Sequence, residues 1–359
     1  PGEAESFERI FGIGYLRKTV RKDGFTADQV TFAPFGDDPL IVSQVTITNQ
    51  TKKTANLRWI EYWGCQQYQF SHRSQVLATI SRGKRQVTDL RRELAQRFSH
   101  HFRALDDRSG LVNEKKFQGY TSSDKSAWRM AQFLLATVAR KATGGALKPP
   151  VKEAWLEDLN PPSTFLVSLD APADGFLTDE AAFFGKGGLT APDGLAAHLP
   201  ATLPGNGGTA LFLERVFSLA PGESRTITFA YGYLTKGRDL KPLLDKYRKD
   251  LPGLWKRSSE SWKTDRIMLD IPDEPWVARE LLWHNYYLRS NLTYDSFYQE
   301  HILSQGHVYQ YLIGFQGAAR DPLQHALPFV FSNPEIVREV LRYTLKEVLP
   351  DGERPYGVT

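Results

Sequence analysis

The sequence predicts a β-plus-α multidomain fold, with a large β-sandwich first, a helical linker next and further helices last. Three observations predict it. Runs of alternating apolar and polar residues recur through the first 235 positions, Gly/Pro/Asn/Asp punctuation separates them, and after about residue 236 the periodicity becomes helical. At 359 residues the chain exceeds one ordinary core and suits more than one domain. The expected division is 1–236 for the β-sandwich, 237–270 for the linker and 271–359 for a helical domain.

The strand signals come first. Leu40 to Thr48 alternates partially from Val42 onward, and Leu57 to Gln69 is rich in Trp, Tyr and Ile. Leu211 to Leu219 and Thr226 to Leu234 also alternate, which puts Ile227, Phe229, Tyr231 and Tyr233 on one face. Gly36-Asp37-Asp38-Pro39, Asn49-Gln50-Thr51 and Pro221-Gly222 read as turns, and 141–148 and 199–208 as loops. Many strands over this length imply two packed sheets. Asp89 to Phe102 reads as an inserted helix.

The helical part follows. Asp239 to Asp265 is charged, carries Leu240, Leu243, Leu244 and Tyr247 on one side, and is broken at Pro252-Gly253. Asp273 is an N-cap signal with Pro275 in the first turn. The helix after it bears Trp276, Val277, Leu281, Leu282, Trp283, Tyr286, Tyr287 and Leu288 around much of its girth and is expected to be buried. In the last helix Asn333-Pro334-Glu335 supplies cap, proline and first-turn acid. A stripe of Val337, Val340, Leu341, Leu345 and Val348 follows, and Pro350-Asp351-Gly352 ends it.

Bulk composition narrows the function. Net charge is only +4, with both signs interspersed, which does not argue for nucleic acid. No run of about 18 apolar residues exists, so no membrane-spanning helix is expected. The lone Cys65 leaves no internal disulfide, fits a reducing compartment and reads as a buried, inert thiol among Tyr62, Trp63 and Tyr68. The chain begins at Pro1 without Met, so a missing N-terminus is expected and secretion stays open. The eight histidines lack metal-ligand spacing, Gly185-Lys186-Gly187-Gly188 is no phosphate loop, and no metal or cofactor is expected. Phe, Trp and Tyr make up 12% of the chain, a content that serves either a large β-domain or the apolar faces of sugars. Trp255 and Trp262 read as packing residues between domains.

The densest chemistry lies between His301 and His325. Gln305, Tyr309, Tyr311, Gln316, Arg320, Asp321, Gln324 and His325 crowd a segment broken by Gly306, Gly314 and Gly317. Gln and Arg supply the donors and acceptors that sugar hydroxyls need, and glycines let backbone approach a ligand. A polar, Gly-rich loop entering a helix carries binding and catalysis more often than a core does. Arg320-Asp321 also serves as a cap for a helix starting near Pro322, and both roles are open. Asp295 and Glu300, just upstream, read as solvated loop carboxylates.

Gly317-Ala318-Ala319-Arg320-Asp321-Pro322-Leu323-Gln324 resembles the Gly-x-x-Arg-Asp-x-x-Gln segment of glycoside hydrolase family 94, the cellobiose phosphorylase group, and of related (α/α)6-barrel enzymes. Leu282 to Tyr287 is similar to a Trp-Asn-x-Tyr pattern on that family's first barrel helix. Phe11 to Tyr15, Val30 to Pro34 and Asp38 to Asn49 resemble its N-terminal sandwich. The resemblance implies a supersandwich, a helical linker and the start of an (α/α)6 barrel. It implies an inverting glycoside phosphorylase acting on β-glucosides, with Asp321 as general acid. Arg320, Gln305, Tyr309 and Gln324 would then hold sugar hydroxyls, and Trp283 and Tyr286 would form apolar walls. Inorganic phosphate would be co-substrate, the location the cytoplasm of a bacterium and the assembly a homodimer. Gln324-His325 departs from the family's frequent Gln-Asp and leaves substrate choice open. A twelve-helix barrel needs roughly 300 residues, and fewer than a hundred follow Asp273. The barrel is therefore expected to be incomplete here, with the phosphate site or the base of a hydrolase elsewhere, or with a second chain completing it. Two other functions fit: an inverting glycoside hydrolase of the same fold, and a non-catalytic glycan-binding or assembly chain.

Overall fold

The computed structural model describes residues 4–65, 98–118, 161–205, 207–234, 237–264, 266–295, 298–303, 317–318, 320–348, 350–353 and 357–358. These fall into two compact units that divide between Ser259 and Glu260.

In the first unit the described residues form two antiparallel sheets. The larger comprises β1 (Ser6–Gly12), β2 (Tyr15–Lys22), β3 (Phe25–Phe32), β4 (Leu40–Asn49), β6 (Phe98–Ala104), β7 (Gly110–Phe117), β8 (Ser163–Ser168) and β11 (Ser224–Leu234), in the order β1-β2-β3-β4-β11-β8-β7-β6. The smaller is β5 (Ala55–Gly64), β10 (Ala210–Leu219) and β9 (Gly175–Leu177), in the order β5-β10-β9. The expected sandwich is present, and the predicted strands at 40–48, 211–219 and 226–234 all form. The expected helix at 89–102 is corrected where it is described: residues 98–104 are β6, paired antiparallel to β7. Residues 89–97 lie outside the described residues.

One face of the large sheet packs on the small one. Val45, Ile47, Leu111, Leu166, Ile227, Phe229 and Tyr231 meet Phe176, Leu211, Leu213, Phe217 and Leu219 in a single core, with Cys65 fully buried at its edge. Desolvation pushes the Cys65 thiol up to about 12, which suits the inert role. Tyr233 shares the predicted face but is half exposed. Between the sheets Glu61 is buried, and desolvation raises its pKa against hydrogen bonds that include the indole N–H groups of Trp59 (2.9 Å) and Trp63 (3.0 Å).

The other face of the large sheet is also covered over part of its length. Val30, Phe32, Leu40, Val42, Val112, Phe165, Val167 and Ala230 pack against Leu240, Leu244 and Tyr247. Those three lie on a helix whose number follows α1 (Glu180–Phe184); α2 (Leu240–Arg248) is capped by the Asp239 side chain accepting from the Lys241 N–H. Burial of Leu240 and Leu244 contributes roughly 1.5–3 kcal/mol each. Asp38, in the turn before β4, accepts from Tyr247 (2.6 Å) and Lys246 (2.5 Å) and fixes the helix. Gly232 is required here, because a Cβ would come within 2.3 Å of the Pro39 carbonyl oxygen and 2.8 Å of the Phe165 ring. The predicted break at Pro252-Gly253 separates α2 from α3 (Leu254–Trp262). The first half of the expected linker is thus docked on the sandwich.

The second unit contains α4 (Pro275–Ser290), β12 (Leu292–Asp295), β13 (Glu300–Leu303), the short pair β14 (Gly317–Ala318) and β15 (Gly357–Val358), α5 (Asp321–Ala326) and α6 (Pro334–Lys346). Leu303, Ala326, Phe329, Ile336 and Val340 form its core, with Leu288, Leu292, Leu323 and Val337 at the margin. Four expectations are corrected. The N-cap position of α4 falls on Glu274 rather than Asp273, without a side-chain capping hydrogen bond. Helix α4 is not buried: Trp276 is 52% and Tyr287 51% exposed. The inward face of α6 carries Ile336, Val340, Tyr343 and Thr344, whereas Leu341 and Leu345 point outward. Glu300 is not a solvated carboxylate either. It is shielded and receives Arg342 Nε (2.9 and 3.1 Å) and Lys346 Nζ (2.9 Å) from α6.

Replacement of Leu244 by Ala is expected to cost about 2–5 kcal/mol in urea unfolding, because it opens a cavity under α2. In the 359-residue chain by itself, Leu345→Ala, on the exposed side of α6, is expected to change stability by less than about 0.5 kcal/mol. Hydrogen bonds from Arg342 and then Lys346 hold the Glu300 carboxyl down at about 2, against a reference value of 4.5. A carboxylate depressed on folding stabilises above its unfolded pKa and loses that contribution as pH falls to its folded pKa. Acid titration of unfolding should therefore show a loss between pH 4.5 and about 2, and Glu300→Gln should flatten that segment of the profile.

Candidate functional site

Helix α5 opens on the Arg320-Asp321 pair. Pro322 in its first turn fixes φ for helix entry and needs no hydrogen-bond partner. The Gln324 N–H reaches back to the Arg320 carbonyl oxygen at 3.2 Å, which anchors the turn. Leu323 and Ala326 sink into the core of the second unit beside Leu303 and Val340. That packing sets the direction of the helix and the side from which Asp321 emerges.

Asp321 is largely shielded, its side chain 17% exposed, while that of Arg320 is 80% exposed. The guanidinium Nε donates to Asp321 Oδ1 at 3.1 Å. The helix start and this pair together hold the carboxylate in place, and the remaining Arg320 donors face solvent. Arg320 occupies the N-cap position without a side-chain capping hydrogen bond, and Asp321 is the first-turn acid of α5. Gln324 lies one turn on and is exposed.

The expected apolar walls lie on α4. Trp283 and Tyr286 pack together with ring centroids 5.7 Å apart, and Tyr286 meets Trp262 edge-on at 5.4 Å. The end of the same helix reaches the α5 core through Leu288. Trp255, by contrast, packs in the first unit against Tyr15 at 5.0 Å. Gln305 and Tyr309 lie outside the described residues.

Other groups near β13 are committed elsewhere. Glu300 is held by Arg342 and Lys346, and Glu339 accepts from both the His301 N–H and its imidazole Nδ1. A charge network of this kind ties β13 to α6. Its sequence signal was the Glu335/Glu339/Arg342/Lys346 spacing along one helical side. Among the described residues no cluster of three or more His, Cys, Asp or Glu is arranged to hold a metal ion. Among them also, no helix is long and apolar enough to cross a membrane.

Residues 119–250 match the family described as glycosyl hydrolase 94, supersandwich domain. The described part of that match holds β8 to β11 with α1 and α2. Among solved structures, a putative kojibiose phosphorylase from the human microbiome aligns with a TM-score of 0.52 and 8% identity, over 96% of this chain and 36% of that protein. The chain thus spans about a third of the length of that phosphorylase, and the likeness is one of fold. A polysaccharide lyase aligns at 11% identity over 64% of this chain and 23% of the lyase, with a TM-score of 0.31. No curated protein matches the sequence significantly. The two-sheet architecture agrees with the family match, and residues 119–250 are similar to a glycosyl hydrolase 94 supersandwich domain.

Proposed function

We propose that the chain belongs to a carbohydrate-active enzyme, an inverting glycoside phosphorylase acting on β-linked gluco-oligosaccharides, with Asp321 as its general acid. The observation that carries this reading is the supersandwich match preceding a helix that opens on Arg320-Asp321. Helices α4 and α6 are read as members of an (α/α)6 barrel, and the outward Trp276, Tyr287, Leu341 and Leu345 as surfaces for its other helices.

Breaking a glycosidic bond requires a proton for the departing oxygen and a nucleophile on the opposite face of the ring. The Asp321 carboxyl would give that proton. Phosphate, already an anion, would attack the anomeric carbon directly, so one protein carboxyl suffices. The products are a sugar 1-phosphate of inverted configuration and the shortened saccharide. Arg320, Gln324, Gln305 and Tyr309 would bind sugar hydroxyls, and Trp283 with Tyr286 would meet the apolar C–H face. A homodimer, or a second chain supplying the rest of the barrel, is part of the same proposal. A hydrolase of the same fold would need a second carboxylate to activate water. Glu300 is a poor fit for that base, because its ion pairs hold it at about 2.

The test is product analysis of the full-length protein with cellobiose and with kojibiose, in the presence and absence of inorganic phosphate. Glucose 1-phosphate formed only with phosphate is the expected result; glucose released without phosphate would mean hydrolysis. Asp321→Asn is expected to lower turnover by about 10²–10⁴-fold while sugar binding persists. Near-normal turnover of that variant would remove Asp321 from the mechanism.

A further inference from the structure

The α2-facing surface of the large sheet changes character along its strands. One row of cross-strand neighbours, Phe32–Val42–Ala230–Val167, is apolar and lies under α2. Two residues further along β4 the row is Arg17–Val30–Gln44–Thr228. Two further still it is Thr19–Asp28–Thr46–Thr226. These rows floor a cleft of about 640 Å³ that is walled by Asp170 and by residues 251–256.

The cleft is preorganised. Gln44 Nε2 donates to the Leu251 carbonyl oxygen at 3.2 Å and ties the wall to the floor. Gly253 takes the left-handed conformation (φ +74°) that the turn needs, and Arg257 braces it through the Pro252 (2.7 Å) and Asp250 (2.7 Å) carbonyls. Trp255 stands in the wall, half-buried and backed by Tyr15 at 5.0 Å.

Two ion pairs lie in and beside the cleft, and the Lys256 ammonium at its wall sits over the Trp255 ring at 5.6 Å. Arg17 is bidentate to Asp28 (2.8 and 2.5 Å), and Arg215 Nη1 holds Asp170 at 3.0 Å. Thr46 and Thr226 share a hydrogen bond at 2.8 Å. An ion bound at Arg17, Asp28 or Asp170 would have to break these pairs, whereas a neutral polyol can add to their remaining lone pairs and protons. Strands lie about 4.8 Å apart, so polar groups repeat along each row at a spacing comparable to one pyranose ring. An indole beside such rows is the combination that takes the mixed apolar and hydroxyl surface of a sugar.

We propose that this cleft is a binding site for a neutral oligosaccharide, with Trp255 as its apolar wall, the Thr46/Thr226 row as its hydroxyl-binding floor, and the buried Gln44/Thr228 row as the support beneath. The inference stands on the sandwich alone and does not require the catalytic role of Asp321.

The test is titration of the full chain with cellohexaose, laminarihexaose and maltohexaose by calorimetry, with inorganic phosphate as the charged probe. At least one hexaose is expected to bind. Thr46→Val/Thr226→Val removes both partners of one hydrogen bond together and keeps the strand shape; it is expected to weaken binding at least about tenfold. Trp255→Ala should act in the same direction, with circular dichroism checking that the fold is kept. No binding of any hexaose, unchanged binding in the threonine double variant, or displacement of the hexaose by phosphate would each overturn the proposal.

Discussion

The structure of the first unit depends on the burial of both faces of one sheet. β4 and β11 lie at its centre and carry the small sheet on one side and α2 on the other. Odd positions of β4, Val45 and Ile47, enter the inter-sheet core, and even positions, Leu40 and Val42, lie under the helix. A strand buried on both faces loses the clean alternation of a half-solvated one. That explains why Leu40 to Thr48 alternates only in part. It also explains why α2, charged along most of its surface, belongs to the sandwich: its Leu240–Leu244–Tyr247 face has a ready apolar partner.

Much of this was legible beforehand and some was not. β10 and β11 were readable because one face is consistently apolar. β6 and β8 were not: Phe98–Ala104 is short and polar in composition, and Ser163–Ser168 is a brief run that periodicity cannot assign. The phase of α6 was misread because Tyr343 and Thr344 fill the core in place of Leu341 and Leu345. A stripe drawn from the most apolar side chains ignores how a tyrosine ring and a threonine methyl serve as packing groups. Burial of α4 was inferred from composition, which says nothing about what covers a helix.

The helix start at Arg320-Asp321 was legible from Pro322, and the structure adds the unequal shielding of the two side chains. The Glu300 network was missed because its partners are about forty residues away on α6. The sandwich cleft was missed for a different reason. A threonine or glutamine on a strand reads as a solvated face, and only the register shows that Asp28, Thr46 and Thr226 stand side by side.

The order of strands in the large sheet has a bearing on biosynthesis. β1 to β4 form a meander of sequential hairpins, so they can assemble as soon as residue 49 is made. The partner on the open side of β4 is β11, which begins at Ser224. At a translation rate of about 5–20 residues per second, the free edge of β4 waits roughly ten seconds or more for that strand. Unpaired edges recruit other strands in the interval. Nascent chains of this protein therefore need shielding along β4 until β11 is made, and a ribosome stalled before Ser224 leaves a product prone to edge-to-edge association.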